Sequence, residues 1–270
     1  MQSTSSVSRI YGWPSSALAV LLLLAATSMY AQDPPKKATS ATPHSWSGFY
    51  VGVSGGYAYG SSDSQTSTTY GSSYLYLLPT SVPAVNKAGS ISLHPHGFAG
   101  GLQSGYNWQA NRIVLGFEAE FSSFGQNDGK SVTTIYPDYN NTLSFTIHSS
   151  LETKWLFTVR PRIGVTTNKA LFYFTGGPAI TELSGHFRFS DIYSLESAST
   201  GETTAGWAVG AGVERSLTSR WSIRAEYLRV HFGDVSASGF LMVNTAPTNF
   251  FNHNVNLNSD IFRLGVNYRL

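Results

Sequence analysis

Residues 262–270 read FRLGVNYRL and alternate strictly between apolar side chains and polar or small ones. Successive side chains of a β-strand point to opposite faces, so this period of two predicts a strand with one apolar face. The apolar set is Phe262, Leu264, Val266, Tyr268 and Leu270, and the opposite set is Arg263, Gly265, Asn267 and Arg269. The same pattern recurs in residues 113–121, 155–165, 207–214 and 221–227. The chain is therefore predicted to be all-β.

The number of strands and the spacing between them predict the architecture. Residues 46–60, 96–109 and 170–183 are richer in glycine but still alternate, which brings the predicted strands to eight. The connections are long and short in turn: 61–95, 110–111, 123–148, 167–169, 184–203, 217–220 and 235–256. Short periplasmic turns and long extracellular loops are typical of an eight-stranded antiparallel up-and-down transmembrane β-barrel. We predict this fold; a soluble β-sandwich or lipocalin-like barrel is the alternative.

The composition of the chain excludes several classes of protein. Charged residues make up 12% and aromatic residues 14% of the 270 residues, and the net charge is +2. Disordered chains have many charges and few aromatic residues, and soluble enzymes carry about twice this share of charge. The small net charge gives no reason to expect a nucleic-acid partner. The absence of cysteine excludes disulfides and thiolate chemistry.

The N-terminal residues have the features of an export signal. Arg9 precedes Ala17–Ala26, a run of ten apolar residues followed by small ones. As a helix this run is about 15 Å long, too short for a hydrocarbon core of about 30 Å. We predict a signal peptide over residues 1–31, with cleavage after Ser28 or Ala31 both compatible with the sequence. Residues 32–45 are predicted to be a flexible leader, and residues 46–270 the outer-membrane barrel.

The faces opposite the apolar ones carry small residues and charges of both signs. Glycine and alanine suit a narrow lumen, and arginine is the residue that pairs with carboxylates in enclosed sites. We predict a structural network of charges in the lumen made by Glu118, Glu120, Arg160, Arg162, Glu214, Arg224, Glu226, Arg263 and Arg269. Aromatic residues at strand ends predict the girdles found at membrane interfaces. They are Trp46, Trp108, Trp155, Trp221 and Tyr268.

The residue types that perform catalysis or hold metals do not form a convincing site. His94 and His96 have no further ligand nearby in the sequence to complete a metal site. His148, Ser150 and Glu152 would share one strand face and are the only candidate for a nucleophile, base and carboxylate set. We predict no catalytic, cofactor-binding or metal-binding residue, and no cofactor.

Several segments resemble a known family. WSGFYVGVSGGYAYG (Trp46–Gly60) and the terminal FRLGVNYRL (Phe262–Leu270) resemble the outer-membrane immunogenic proteins of Gram-negative bacteria, an opacity-like, OmpA-type group of eight-stranded barrels. Residues 100–109, 114–122, 206–217 and 221–230 are similar to the same family. The resemblance implies a surface-exposed, antigenic protein of the Gram-negative outer membrane that helps to maintain envelope integrity. Members usually end in phenylalanine, whereas this chain ends in Leu270.

The same resemblance implies which partners to expect. They are outer-membrane lipid and lipopolysaccharide, and the barrel-insertion machinery through Tyr268 and Leu270. Apart from the resemblance, residues 61–95 and 235–256 contain the apolar runs 72–85 and 239–251, for which two interpretations stay open: they form an interaction site for a surface partner, or, as we favour, they pack on one another above the membrane. The predicted function is structural and non-catalytic. A narrow porin for small solutes is the first alternative, and an enzyme that modifies envelope lipid is the second.

Overall fold

The computed structural model describes residues 44–69, 76–138, 142–244 and 246–270. The predicted signal peptide, residues 1–31, and residues 32–43 of the leader lie outside these ranges. No described helix is long and apolar enough to cross a membrane. The elements are β1 (Gly48–Thr68), α1 (Ser81–Ala88), β2 (Ser90–Leu93), β3 (His96–Ala110), β4 (Ile113–Ile135), β5 (Ser144–Thr167), β6 (Ala170–Ser190), β7 (Ser194–Ser216), β8 (Trp221–Val243) and β9 (Ala246–Arg269).

Eight of these strands close into an antiparallel ring. From β3 to β9 each strand pairs with the next in the chain, β1 pairs with β3, and β9 returns to pair with β1. The short β2 continues β3 beyond a break at His94–Pro95. Both strands pair with β1 in one register, with Leu93 of β2 opposite Ser62 and His96 of β3 opposite Tyr59. The predicted eight-stranded antiparallel barrel is confirmed.

One end of the ring has the short turns that the sequence predicts. Asn111 between β3 and β4 has a φ of 56°, and Asn168 between β5 and β6 has a φ of 49°. Asparagine tolerates this left-handed conformation better than most residues, so tight turns form there without glycine. This end is the periplasmic end of an outer-membrane barrel.

The half of the barrel next to these turns has its apolar residues outside. Leu102, Phe174 and Leu264 expose 68%, 71% and 68% of their surface. Their neighbours along each strand point inward and are glycine or polar residues, such as Gln103, Thr175 and Arg263. Such a band is stable only against lipid. The predicted lipid-facing side of the strands is therefore the side that faces outward.

The other half of the barrel reverses this arrangement. On β5 the inward residues Phe145, Ile147 and Leu151 are buried, whereas their outward neighbours are polar. This part stands in water, so its apolar side chains form a core as they do in a soluble barrel. Most of the long connections predicted at 61–95, 123–148, 184–203 and 235–256 are consequently strand in the structure.

The helix α1 helps to close the extracellular mouth of this upper core. Its Val82 and Val85 join Leu77, Leu241 and Phe251 in one buried apolar cluster. The Ser81 hydroxyl donates to Asp138 Oδ2 at 2.7 Å, and Asn86 Oδ1 accepts from the Thr68 amide at 2.8 Å. Among the described residues of the two apolar runs, these five pack together above the membrane, whereas Leu78, Phe240, Met242 and Phe250 are exposed.

Candidate functional site

The lower lumen holds a cluster of eight charged side chains, all buried. Four are glutamates, Glu118 and Glu120 on β4, Glu214 on β7 and Glu226 on β8. Four are arginines, Arg160 and Arg162 on β5, Arg224 on β8 and Arg263 on β9. The strand period of two directs all of them inward, and the registers place Glu118 opposite Arg160 and Glu226 opposite Arg263.

Arg160 lies at the centre of this cluster and is fully buried. Its Nη2 atom donates to Glu118 Oε1 at 2.8 Å and to Glu120 Oε2 at 3.0 Å. Its Nη1 atom donates across the lumen to Glu226 Oε1 at 3.3 Å. One guanidinium group therefore holds three carboxylates, the geometry for which the planar fork of arginine is suited.

Arg224 and Arg263 provide further partners for the same three carboxylates. Arg224 Nη1 donates to Glu118 Oε2 at 2.6 Å. Arg263 bonds Glu120 and, through Nε at 3.0 Å, Glu226 Oε1. Four positive and four negative side chains give the cluster no net charge. Neutrality matters because an unpaired charge in a buried site is strongly destabilising.

Arg162 occupies the periplasmic side of the cluster. Its Nε donates to Asn107 Oδ1 at 2.7 Å, and its Nη1 lies 3.4 Å from Glu214 Oε2. Its guanidinium carbon lies 4.6 Å from the centre of the Tyr50 ring and 5.4 Å from that of Tyr173. Contacts of this kind between a cation and an aromatic ring are favourable in a desolvated site.

Two tyrosines belong to the network although the sequence analysis did not include them. The Tyr50 hydroxyl donates to Glu118 at 2.7 Å, and the Tyr173 hydroxyl donates to Glu226 at 2.6 Å. Both occupy inward positions in the glycine-rich strands, where the alternation is least clear. The sequence indicates them only through the alternation of their strands, which puts both side chains on the lumen face, as it does for the glutamates.

Arg269, the ninth predicted member, lies apart from the buried cluster. Its Nη2 donates to the Ser219 carbonyl oxygen at 2.6 Å, in the periplasmic turn between β7 and β8. Among the described residues it has no ion pair with a glutamate of the cluster. It is the last residue of β9 and sits at the lumen mouth.

The aromatic girdle is also partly different from the prediction. Trp108 and Trp221 are exposed on the outer surface, where Trp221 contacts Tyr268 with ring centres 4.9 Å apart. Trp155 stacks on Phe121 near the other interface. Trp46 was wrongly assigned to the girdle: it is 4% exposed and its indole donates to Thr166 Oγ1 at 3.0 Å. It precedes β1 and packs inside the periplasmic mouth.

The histidines considered as catalytic or metal-binding residues have other hydrogen-bond partners. His148 bonds Ser131 Oγ at 3.0 Å, and within the described residues no hydrogen bond joins it to Ser150. His96 Nδ1 bonds the His94 carbonyl oxygen at 3.1 Å. Oxygen atoms of Glu118, Glu120 and Glu226 lie within 4.8 Å of one another. Arginine already neutralises these three carboxylates, so we assign no metal to them.

A closed ring of eight strands, with an outward apolar band and a charged lumen, defines an integral outer-membrane barrel protein. The profile of the family described as "Outer membrane protein beta-barrel domain" matches residues 19–269. The chain belongs to this family, and its location is the outer membrane of a Gram-negative bacterium. Its surroundings are therefore outer-membrane lipid and lipopolysaccharide.

Proteins of similar sequence include outer-membrane proteins of Brucella and Rhizobium. The chain is 31% identical to the 31 kDa outer-membrane immunogenic protein of Brucella melitensis, over 93% of this chain and 98% of that one. It is 32% identical to the 22 kDa outer membrane protein of Rhizobium leguminosarum, over 73% and 67%. The crystal structure of the outer membrane protease OmpT from Escherichia coli aligns with a TM-score of 0.46 at 8% identity, over 86% and 100%.

Proposed function

We propose that this protein is a non-catalytic structural component of the outer membrane that supports envelope integrity and displays its upper barrel on the cell surface. The observation that carries this proposal is the occupied lumen. Eight paired charges fill the membrane-spanning half, and a packed apolar core with α1 fills the half above it. Eight strands leave room for side chains and little else.

Envelope integrity is tested by deleting the gene and restoring it on a plasmid. We expect the deletion strain to become more sensitive to detergent and to large antibiotics, and the wild-type gene to restore resistance. A gene carrying Arg160→Ala should restore less than one carrying Lys154→Ala, which alters an exposed ion pair outside the lumen. Equal sensitivity with and without the protein contradicts a structural role.

The porin alternative is tested by recording from the purified protein in a planar lipid bilayer. We expect no steady conductance, because the arginine–glutamate network occupies the lumen. A large, stable, ohmic conductance would overturn the structural role and favour a narrow porin.

An enzyme that modifies envelope lipid is the remaining alternative. The lipid A species of strains with and without the protein should have the same masses. A mass difference that disappears with His148→Ala would favour catalysis.

A surface role is supported by the exposed upper strands and by the word "immunogenic" in the name of the Brucella relative. Antibodies raised against the folded protein should bind intact cells.

We also propose interaction of a surface partner with residues 61–95 and 235–256, recognition of Tyr268 and Leu270 by the barrel-insertion machinery, and removal of residues 1–31 or 1–28 on export. Leu270→Phe should speed assembly, and the mass of the mature chain should identify the cleaved bond.

A further inference from the structure

The wall of the upper barrel is open between β7 and β8. The two strands pair at the top, Ser194 with Val243 and Leu195 with Met242, and pair again from Gly206 with Phe232 downward. Between these points, residues 196–205 of β7 and 233–241 of β8 are all described and form no ladder pairs with each other. We call these two stretches the β7 edge and the β8 edge, and the space between them the β7–β8 gap.

Each edge is held in an extended conformation by the strand on its other side. The β7 edge pairs along its whole length with β6, from Glu196 opposite Phe189 to Ala205 opposite Ile180. The β8 edge pairs with β9, for example Val235 with Val255. In an antiparallel sheet about half of the residues direct their N–H and C=O groups to each neighbour. Both edges therefore present rows of backbone groups that are not used within the sheet.

The gap is accessible from outside. Glu202 points inward, because it pairs with the fully buried Leu183, yet it is exposed, as are Gly201 and Thr203 on either side of it. Three consecutive exposed residues in one strand show that the wall is open at this level. Opposite them, a Cβ atom placed on Gly233 would meet no atom within 4 Å.

The height of the gap places it just above the outer leaflet. Trp207 and His231 pair directly below it, with ring centres 5.4 Å apart. Exposed aromatic residues such as Trp207 mark the membrane interface in barrels of this kind. The upper end is closed by Glu196, which bonds His253 Nε2 at 3.2 Å. The open part therefore faces the medium, between the interface and this buried pair.

The charge of the two edges favours a cationic partner. Glu202 on the β7 edge and Asp234 on the β8 edge are both exposed, and neither edge contains a lysine or arginine. Glu182, across from Thr203, is already paired with Lys154 at 3.1 Å. Ala198 on the β7 edge is small and only partly buried, and the Glu196 side chain fills the space beside Gly239, so the open part of the gap lies below Gly239.

We propose that the β7–β8 gap binds an extended basic peptide, which adds a strand to the β7 edge. Backbone hydrogen bonds supply affinity in this mode of recognition, and side chains at alternate positions supply specificity. Here Glu202 and Asp234 would select lysine or arginine. This site depends on the proposed function only in that the upper barrel must face the medium; it requires neither conduction nor a closed lumen.

The test uses the full-length protein in lipid nanodiscs and a fluorescein-labelled decapeptide of valine and lysine, with lysines on both faces of the extended chain because Glu202 points inward and Asp234 points outward. We expect saturable binding, weakened at least about tenfold when alternate amides of the peptide are N-methylated, because several backbone hydrogen bonds are lost together. Glu202→Gln with Asp234→Asn should weaken binding several-fold and reduce its salt dependence. Glu152→Gln removes an exposed carboxylate on β5 and should change nothing.

The position of the bound peptide is tested by photo-crosslinking. Benzoylphenylalanine at Ser199 or Ser236, both exposed on the two edges, should capture the peptide, and at Ser150 on β5 it should not. Heat-modifiable migration on a gel establishes that each variant is folded. Equal binding of the N-methylated peptide, or equal capture at Ser150, would overturn the strand-addition site. Either result would leave the structural role and the lumen unaffected.

Discussion

Arg160 on β5 and Glu226 on β8 meet inside the barrel, with Nη1 and Oε1 3.3 Å apart and neither side chain exposed. Two strands, β6 and β7, separate them along the wall, so the pair crosses the lumen. Because Arg160 also holds Glu118 and Glu120, this single side chain joins three strands, β4, β5 and β8, across the lumen.

Loss of Arg160 should therefore destabilise the barrel. Arg160→Ala leaves three buried carboxylates with one partner fewer, and we expect the free energy of unfolding to fall by about 3–5 kcal/mol. Urea unfolding in lipid vesicles, followed by tryptophan fluorescence, measures this change. Adding Glu120→Gln should restore part of the loss, since it removes one of the carboxylates that lost a partner and makes the cluster neutral again. If the double variant is no more stable than the single one, the two groups are not coupled.

The lipid-facing side of the strands can be tested at the middle of the membrane band. Val159 is 38% exposed and points outward, so Val159→Arg should cost about 2–4 kcal/mol near the bilayer midplane. The adjacent Thr158 points into the lumen and its Oγ1 atom has no hydrogen-bond partner. Thr158→Val should therefore change the stability little. A larger loss of stability for Thr158→Val than for Val159→Arg would show that the lipid face and the lumen face have been assigned the wrong way round.

The orientation of the barrel in the membrane can be tested by labelling single introduced cysteines, because the chain has no cysteine of its own. Cysteine at Ser92, exposed on β2, should react with a membrane-impermeant thiol reagent on intact cells. Cysteine at Lys169, in the turn between β5 and β6, should react only after the cells are broken. Labelling of Lys169→Cys on intact cells would contradict the periplasmic assignment of the short turns.

An ion pair above the membrane band should titrate abnormally. Lys154 Nζ donates to Glu182 Oε1 at 3.1 Å, and this hydrogen bond and charge lower the pKa of Glu182 and raise the pKa of Lys154. Because the pKa of Glu182 is lower in the folded protein than in the unfolded chain, the pair stabilises the fold at a pH above the unfolded-state pKa. This stabilisation is lost as the pH falls through the folded-state pKa. In Lys154→Met the pKa of Glu182 should rise toward its ordinary value, as measured by NMR titration. An unchanged pKa would show that the pair does not form in solution.

The strands within the membrane were predictable because lipid and lumen impose opposite chemistry on alternate residues. Leu115, Glu118 and Arg162 could be assigned to their faces from the sequence alone. The upper strands were not recognised because water replaces lipid outside them. There Phe145 and Ile147 keep the period of two but point inward. A prediction that assigns every apolar face to lipid is therefore valid only up to the membrane interface.

Other features depend on contacts that no local pattern contains. Trp46 is apolar and aromatic at a strand end, as girdle residues are, but its indole bonds Thr166 and it packs with buried residues such as Leu171 and Tyr173 inside the barrel. Arg269 has the inward phase of Arg263 but is the last residue of its strand, where its guanidinium group bonds the Ser219 carbonyl oxygen. The β7–β8 gap reflects missing pairing between strands whose sequences still look like ordinary strands.

The two fillings of the barrel, charged below and apolar above, are held by different forces and therefore weaken under different conditions. Acid that protonates carboxylates weakens the lower filling and leaves the upper one intact. Cooling weakens apolar packing and thus the upper filling, but it leaves the ion pairs in place. A single change of acidity or of temperature therefore loosens one half of the barrel while the other half keeps its packing.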